Sequence, residues 1–120
     1  MLFRSETHIC ALISADGARC EHLILLPDDF EGTWKESLDW AESIGGHLPN
    51  RVEGALLFAH AKDEFHSLGT YWTRDLCMDV TAWYMDFFDG YQGRKDPGKK
   101  AYACAIRRSR IEPLSHQVAT

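Results

Sequence analysis

Two short motifs in this sequence have the residue types of a metal site. His8-x-Cys10 and Cys20-x-His22 offer two imidazoles and two thiols, a donor set that suits structural zinc. Between them lies Asp16-Gly17, a dipeptide that supplies the positive φ angles of a tight hairpin turn. The motifs therefore face each other across a predicted β-hairpin. A two-residue turn pairs residues whose numbers sum to 33, so Cys10 meets Leu23 and Cys20 meets Ile13. Side chains alternate across a strand, and this register puts the two motifs on opposite faces. A three-residue turn returns them to one face but spaces the thiols several residues apart, at about 3.4 Å each. Zinc holds its donors within about 2.3 Å. The expectation is no metal site, no cofactor and no Cys10–Cys20 disulfide.

The other chemical candidates are weaker. His47, His60, His66 and His116 have no nucleophile at a telling spacing. Nothing matches a nucleophile elbow, a Walker loop, a zincin helix or a dinucleotide fingerprint. Asp86 and Asp89 could form a carboxylate pair, but Asp89 precedes Gly90 as a turn residue and Asp86 alternates with aromatics. No catalytic residue is assigned. Trp34, Trp83 and Phe87 are expected in the core. Tyr84, Phe88 and Tyr91 would form a binding patch wherever they face solvent.

These residues need elements to position them. His8–Ser14 and Cys20–Leu26 are apolar runs that read as the hairpin strands, ended by Pro27. Thr33 caps a helix over Thr33–Gly45, with Glu36 completing a capping box and Trp34, Leu38, Ala41 and Ile44 forming its core stripe. Gly45-Gly46 ends it. Asn50 and Glu53 repeat the signature for a helix over Asn50–Lys62, with Val52, Ala55, Leu56 and Ala59 inward. From Thr70 the pattern is β: Tyr71–Thr73, an alternating strand through Trp83 and Phe87, and a last strand over Ala101–Arg107. Arg74–Val80 and Lys95–Lys100 read as loops. The class is α+β: an N-terminal hairpin, two helices, then short antiparallel strands with irregular loops. Residues 1–110 form one domain and 111–120 a flexible tail.

Composition sets the frame. The chain has 120 residues, 45% hydrophobic, enough for a single core. No apolar run approaches the roughly 20 residues of a membrane helix, and Met1-Leu2-Phe3-Arg4 lacks the marks of a signal peptide. The expected location is the cytoplasm, with Cys10, Cys20, Cys77 and Cys104 reduced. The net charge of −5 is divided along the chain. Asp28, Asp29, Glu31, Glu36, Asp39 and Glu42 face a single base, Lys35, whereas Arg94, Lys95, Lys99, Lys100, Arg107, Arg108 and Arg110 face a single acid, Asp96. Such a dipolar chain suits charge-steered association. The acidic balance argues against direct nucleic-acid binding.

Taken in order, Thr33-Trp34, Gly45-Gly46-His47-Leu48-Pro49, Tyr71-Trp72-Thr73, Ala82-Trp83-Tyr84 with Phe87 and Asp89-Gly90, and Ala105–Arg108 resemble a known pattern. It is that of the lectin-like family named after the C-terminal domain of a Legionella collagen-like protein, most closely its single-domain phage and prophage members. Those also carry a hairpin leading into a Leu-Leu-Pro like Leu25-Leu26-Pro27. The resemblance implies a C-type-lectin-like fold, in which a two-helix scaffold carries a ligand face of loops and late strands, and it implies binding in place of catalysis. The Glu-Pro-Asn and Trp-Asn-Asp motifs of calcium-dependent lectins are missing. So is the close cysteine pair of the related formylglycine-generating enzymes.

The function expected from this resemblance is a phage-derived, non-catalytic protein that binds a host protein or a protein–nucleic-acid complex. A counter-defence inhibitor, such as an anti-CRISPR, is its concrete form. The alternatives are a displayed recognition module and an enzyme distantly related to the formylglycine-generating group. The expected partner face is Arg74, Asp75, Met78, Asp79, Gln92, Arg94 and Lys95 on connecting loops, with Tyr91 as an aromatic anchor. The rival face is the acidic set from Asp28 to Glu42, acting as a nucleic-acid mimic.

Overall fold

The computed structural model of the chain describes residues 6–14, 16–78 and 80–110. Asp79 and the 111–120 tail lie outside the described residues. Among the described residues, six strands and two α-helices follow one another as β1 (Thr7–Ile13), β2 (Cys20–Gly32), α1 (Trp34–Ser43), α2 (Arg51–Ala61), β3 (Thr70–Cys77), β4 (Thr81–Asp86), β5 (Gln92–Lys95) and β6 (Ala101–Arg110). A short 3-10 turn, Lys62–Glu64, follows α2. The strands form one mixed sheet in the order β1-β2-β6-β3-β4-β5. Every pairing is antiparallel except β3 with β6, which meet in parallel at Tyr71 and Tyr102.

The helices cover opposite faces of this sheet. Tyr71 and Trp72 are neighbours on β3, and both are buried. Tyr71 packs with Leu57 of α2, Leu25, Met85, Phe87 and Ile106. Trp72 packs with Ala41 of α1, Leu48, Ala82, Ala103 and Ala105. Adjacent strand residues point to opposite faces, so each face has its own core. Alanines line the α1 face of β6, leaving room for the indole of Trp72, whose Nε1 donates to the carbonyl of Gly32 at 3.0 Å.

Both capping boxes form. Thr33 Oγ1 accepts from the Glu36 amide, and Glu36 Oε1 accepts from the Thr33 amide. Asn50 and Glu53 make the same reciprocal pair. Gly46 is needed just beyond α1: a Cβ there would lie 2.7 Å from the carbonyl oxygen of Ile106. That close approach lets His47 bridge to Ile106 of β6.

Several expectations need correction. Pro27 does not end β2; the strand continues to Gly32 through a bulge between Leu25 and Asp29, with Asp28 at φ 70°. A bulge absorbs the donor that proline lacks. Arg74 and Asp75 lie on β3, and Gln92, Arg94 and Lys95 lie on β5, in place of loops. The buried face of α2 is Glu53, Gly54 and Leu57, while Val52 is exposed. Gly54 allows α2 to approach Met85 closely: a Cβ there would sit 3.1 Å from its Sδ. The large core tryptophan is Trp72; Trp34 and Trp83 are half-buried.

Candidate functional site

The hairpin arithmetic holds at the turn-proximal end. Cys10 pairs with Leu23 and Ile13 with Cys20, so Cys10 packs against the α2-side core and Cys20 points the other way. Before Cys10 the register shifts by one at Ile9. That bulge reverses the parity of everything before it. His8, expected beside Cys10, instead joins His22 on the α1 side, with His8 Nε2 2.6 Å from His22 Nδ1. None of the four cysteines is in a disulfide. No group of three or more metal-ligating side chains converges among the described residues.

Asp86 ends β4 and Asp89 lies in the turn that follows. Asp86 Oδ1 accepts from the Phe88 amide and Asp89 Oδ1 from the Tyr91 amide, at 2.8 and 2.9 Å. Tyr71 is engaged with Asp29, to which its hydroxyl donates at 2.7 Å, and it accepts from the His66 amide. Burial pushes the Tyr71 hydroxyl well above its ordinary pKa. It therefore stays protonated as a structural donor.

The exposed residues of the late strands gather around Trp83. Its cross-strand partner on β5 is Arg94. The Arg51 guanidinium lies 3.5 Å from the Trp83 ring centroid and that of Arg94 lies 5.6 Å from it, both within cation–π range. Gln92 fixes Arg51 from two sides: its Oε1 accepts from Arg51 Nε at 2.9 Å and its Nε2 donates to the Arg51 carbonyl at 2.8 Å. Asp75 Oδ2 accepts from the Arg51 amide at 2.9 Å. Arg94 Nη1 donates to Cys77 Sγ at 3.1 Å. Among the described residues no carboxylate pairs with the Arg51 or Arg94 guanidinium. One residue beyond Cys77 the β3–β4 turn presents Met78, 87% exposed, and then Val80, 69% exposed.

The eight residues expected on one partner face are thus divided. Asp75, Gln92 and Arg94 join Trp83 on the α2 side. Arg74 lies on the α1 side, lining a cavity of about 410 Å³ with Lys35, Asp39, Glu42 and Leu48. Lys95 pairs with Ala82 and also points to the α1 side. Its Nζ donates to Thr70 Oγ1 at 2.8 Å and sits 4.8 Å from the Tyr84 ring centroid. Burial, then the charge of Lys99, lowers its pKa. Tyr91 is exposed, but it precedes the opposite end of β5, four residues along β4 from the Met78 turn, or about 14 Å. Asp79 lies outside the described residues.

The rival acidic face is partly committed to internal contacts. Glu36 serves the α1 cap, Asp39 pairs with Lys35 at 3.0 Å, and Asp29 accepts from Tyr71. Asp28, Glu31 and Glu42 are exposed. Arg51 and Trp83 are the site residues that the sequence reading missed. The available signal was position: Arg51 follows the helix cap Asn50, so its side chain starts at a fixed helix end. No protein-family model matches the chain, and no curated protein matches it.

Proposed function

We propose that this chain is a non-catalytic binding protein of C-type-lectin-like fold, and that its partner face is the Trp83 surface of β3–β5. One observation carries the reading: two arginines with no carboxylate partner among the described residues gather on Trp83 beside an exposed apolar turn, Met78 and Val80. An apolar knob next to pre-oriented guanidinium groups is the composition of an interface anchor. In the lectin-like fold the ligand face is also built on late strands, supported by the helices. The setting that the resemblance suggests is a phage protein acting on a host macromolecule inside the cell, with counter-defence inhibition as its concrete form.

The acidic face suits this role less well, because three of its six carboxylates already serve internal contacts. The test is capture of partners from a host lysate with the parent chain and two variants. Met78→Asp with Arg94→Glu should reduce retention of the partner at least tenfold, the scale of a lost hot spot. Glu31→Lys with Glu42→Lys should leave it unchanged. The opposite pattern would move the partner face to the acidic side. A retained defence complex supports the intracellular reading, and a retained envelope glycan overturns it.

A further inference from the structure

We propose that His8 and His22 form a binding site for a borderline divalent ion such as Zn2+ or Ni2+. The site is distinct from the four-donor arrangement that the sequence suggests and the strand faces exclude. It uses two imidazoles alone, brought together by the bulge at Ile9.

His8 Nε2 and His22 Nδ1 are 2.6 Å apart, with ring centroids 4.5 Å apart and planes at 74°. Two ring nitrogens this close share a single proton: one donates and the other accepts. The point between them is a place where two lone pairs converge once the donor ring carries its proton on its other nitrogen, as the second tautomer does. Zinc and nickel favour imidazole ligands, whereas magnesium and calcium favour oxygen. Zn–N bonds of about 2.1 Å at a tetrahedral angle place two nitrogens about 3.4 Å apart. The nitrogens must part by about 0.8 Å to reach that distance, and His8 is exposed on the outer strand, with room to move. His8 is exposed and His22 is half-buried, so water can complete the coordination shell.

The charges around the pair are mixed: the cavity beside His8 is also lined by Lys62, Asp63 and Glu64. Arg107 lies across from Ile24 on β6, and Glu6 holds its guanidinium at 2.7 Å. The strand partners of His22 are Ala11 and Ser109, neither charged. Cys10 cannot contribute, since it packs against the core on the other face. Cys20 shares the face of His22, but it lies two residues along β2 in the direction away from Ile24, the partner of His8. The bound ion would join β1 to β2 side chain to side chain and hold the outer strand in place.

The test is calorimetric titration of the tag-free, chelator-stripped chain with ZnCl2 alone, and separately with NiCl2. We expect one equivalent bound, and a melting temperature that rises with excess metal. His8→Ala and His22→Ala should each abolish that equivalent and the rise. Cys20→Ser should keep both, and MgCl2 should be silent. His8 is exposed on an edge strand, so its variant should retain the parent's far-UV circular dichroism; if one variant fails to fold, the other decides. An absence of zinc and nickel binding, an undiminished equivalent in a folded histidine variant, or its loss in Cys20→Ser would each overturn the site.

Discussion

The two helices begin with the same device and use it differently. Glu36 and Glu53 each stand three residues after a capping side chain, and each accepts from the cap's own amide. Glu36 faces solvent, whereas Glu53 is fully buried. The second oxygen of Glu53 accepts from Arg108 Nε and Nη2 at 2.9 and 2.8 Å. Arg108 in turn reaches Glu21 at 3.4 Å. The same motif is thus a surface cap on one side of the sheet, and on the other a buried ionic link from α2 to β6 and β2. Local sequence specifies the cap, and the tertiary neighbour decides what the cap is worth.

Replacing Glu53 separates the two cases most strongly. Glu53→Ala leaves Arg108 with the longer Glu21 contact alone and removes the acceptor of the Asn50 amide, so it should destabilise by about 3 kcal/mol, the low end for breaking a buried pair because Arg108 is partly exposed. Chemical denaturation measures it; a loss below about 1 kcal/mol would show that the pair is solvated and the contrast false. Glu36→Ala should cost much less, because Thr33 still caps α1 and the exposed Glu36 carboxylate holds no buried partner. A loss equal to that of Glu53→Ala would erase the difference between the helices.

The smallest expected effect is on pH dependence. The hydrogen bonds from the Thr33 backbone and side chain hold the Glu36 carboxyl below its ordinary pKa. A depressed carboxyl stabilises the fold above the unfolded-state carboxylate pKa and loses that contribution as pH falls through the folded value. Acid unfolding curves of the parent and Glu36→Gln should therefore converge below the carboxylate range and separate slightly above it. Separation that grows toward acid would reverse the assignment.

Much of this fold is legible along the chain. Thr33, Glu36, Asn50 and Glu53 announce both helix starts, because a cap is a local bargain between side chain and backbone within four residues. The hairpin register near Asp16-Gly17 follows from turn length. Bulges are less legible, since one inserted residue changes side-chain parity without changing composition. The bulge at Ile9 hid the meeting of His8 with His22, and the one after Leu25 hid the continuation of β2 through Pro27. The register shift between Trp72 and Leu76 made Arg74 and Asp75 read as a loop. Trp83 shows the other limit. Alternation places it on a strand face, but only the arrival of Arg51 from the start of α2 determines that a cation, and not a core, covers its ring.

The lone parallel contact of Tyr71 with Tyr102 divides the sheet into two antiparallel triplets, and this bears on how the chain folds. Strands β3, β4 and β5 are consecutive, so their pairings close short loops and form with little entropic delay. The triplet β1, β2 and β6 must bring β6 back across both helices and the whole of the other triplet. It therefore forms by the most non-local step in the molecule. The seam is crossed by little backbone pairing and by the stacked Tyr71 and Tyr102 rings, 5.4 Å between centroids. A boundary of this kind, joined by side chains more than by a ladder, is where a single domain can part into cooperative units of unequal stability. The strands that carry the Trp83 surface belong to the triplet that can assemble first, and Arg51 reaches them from the start of α2.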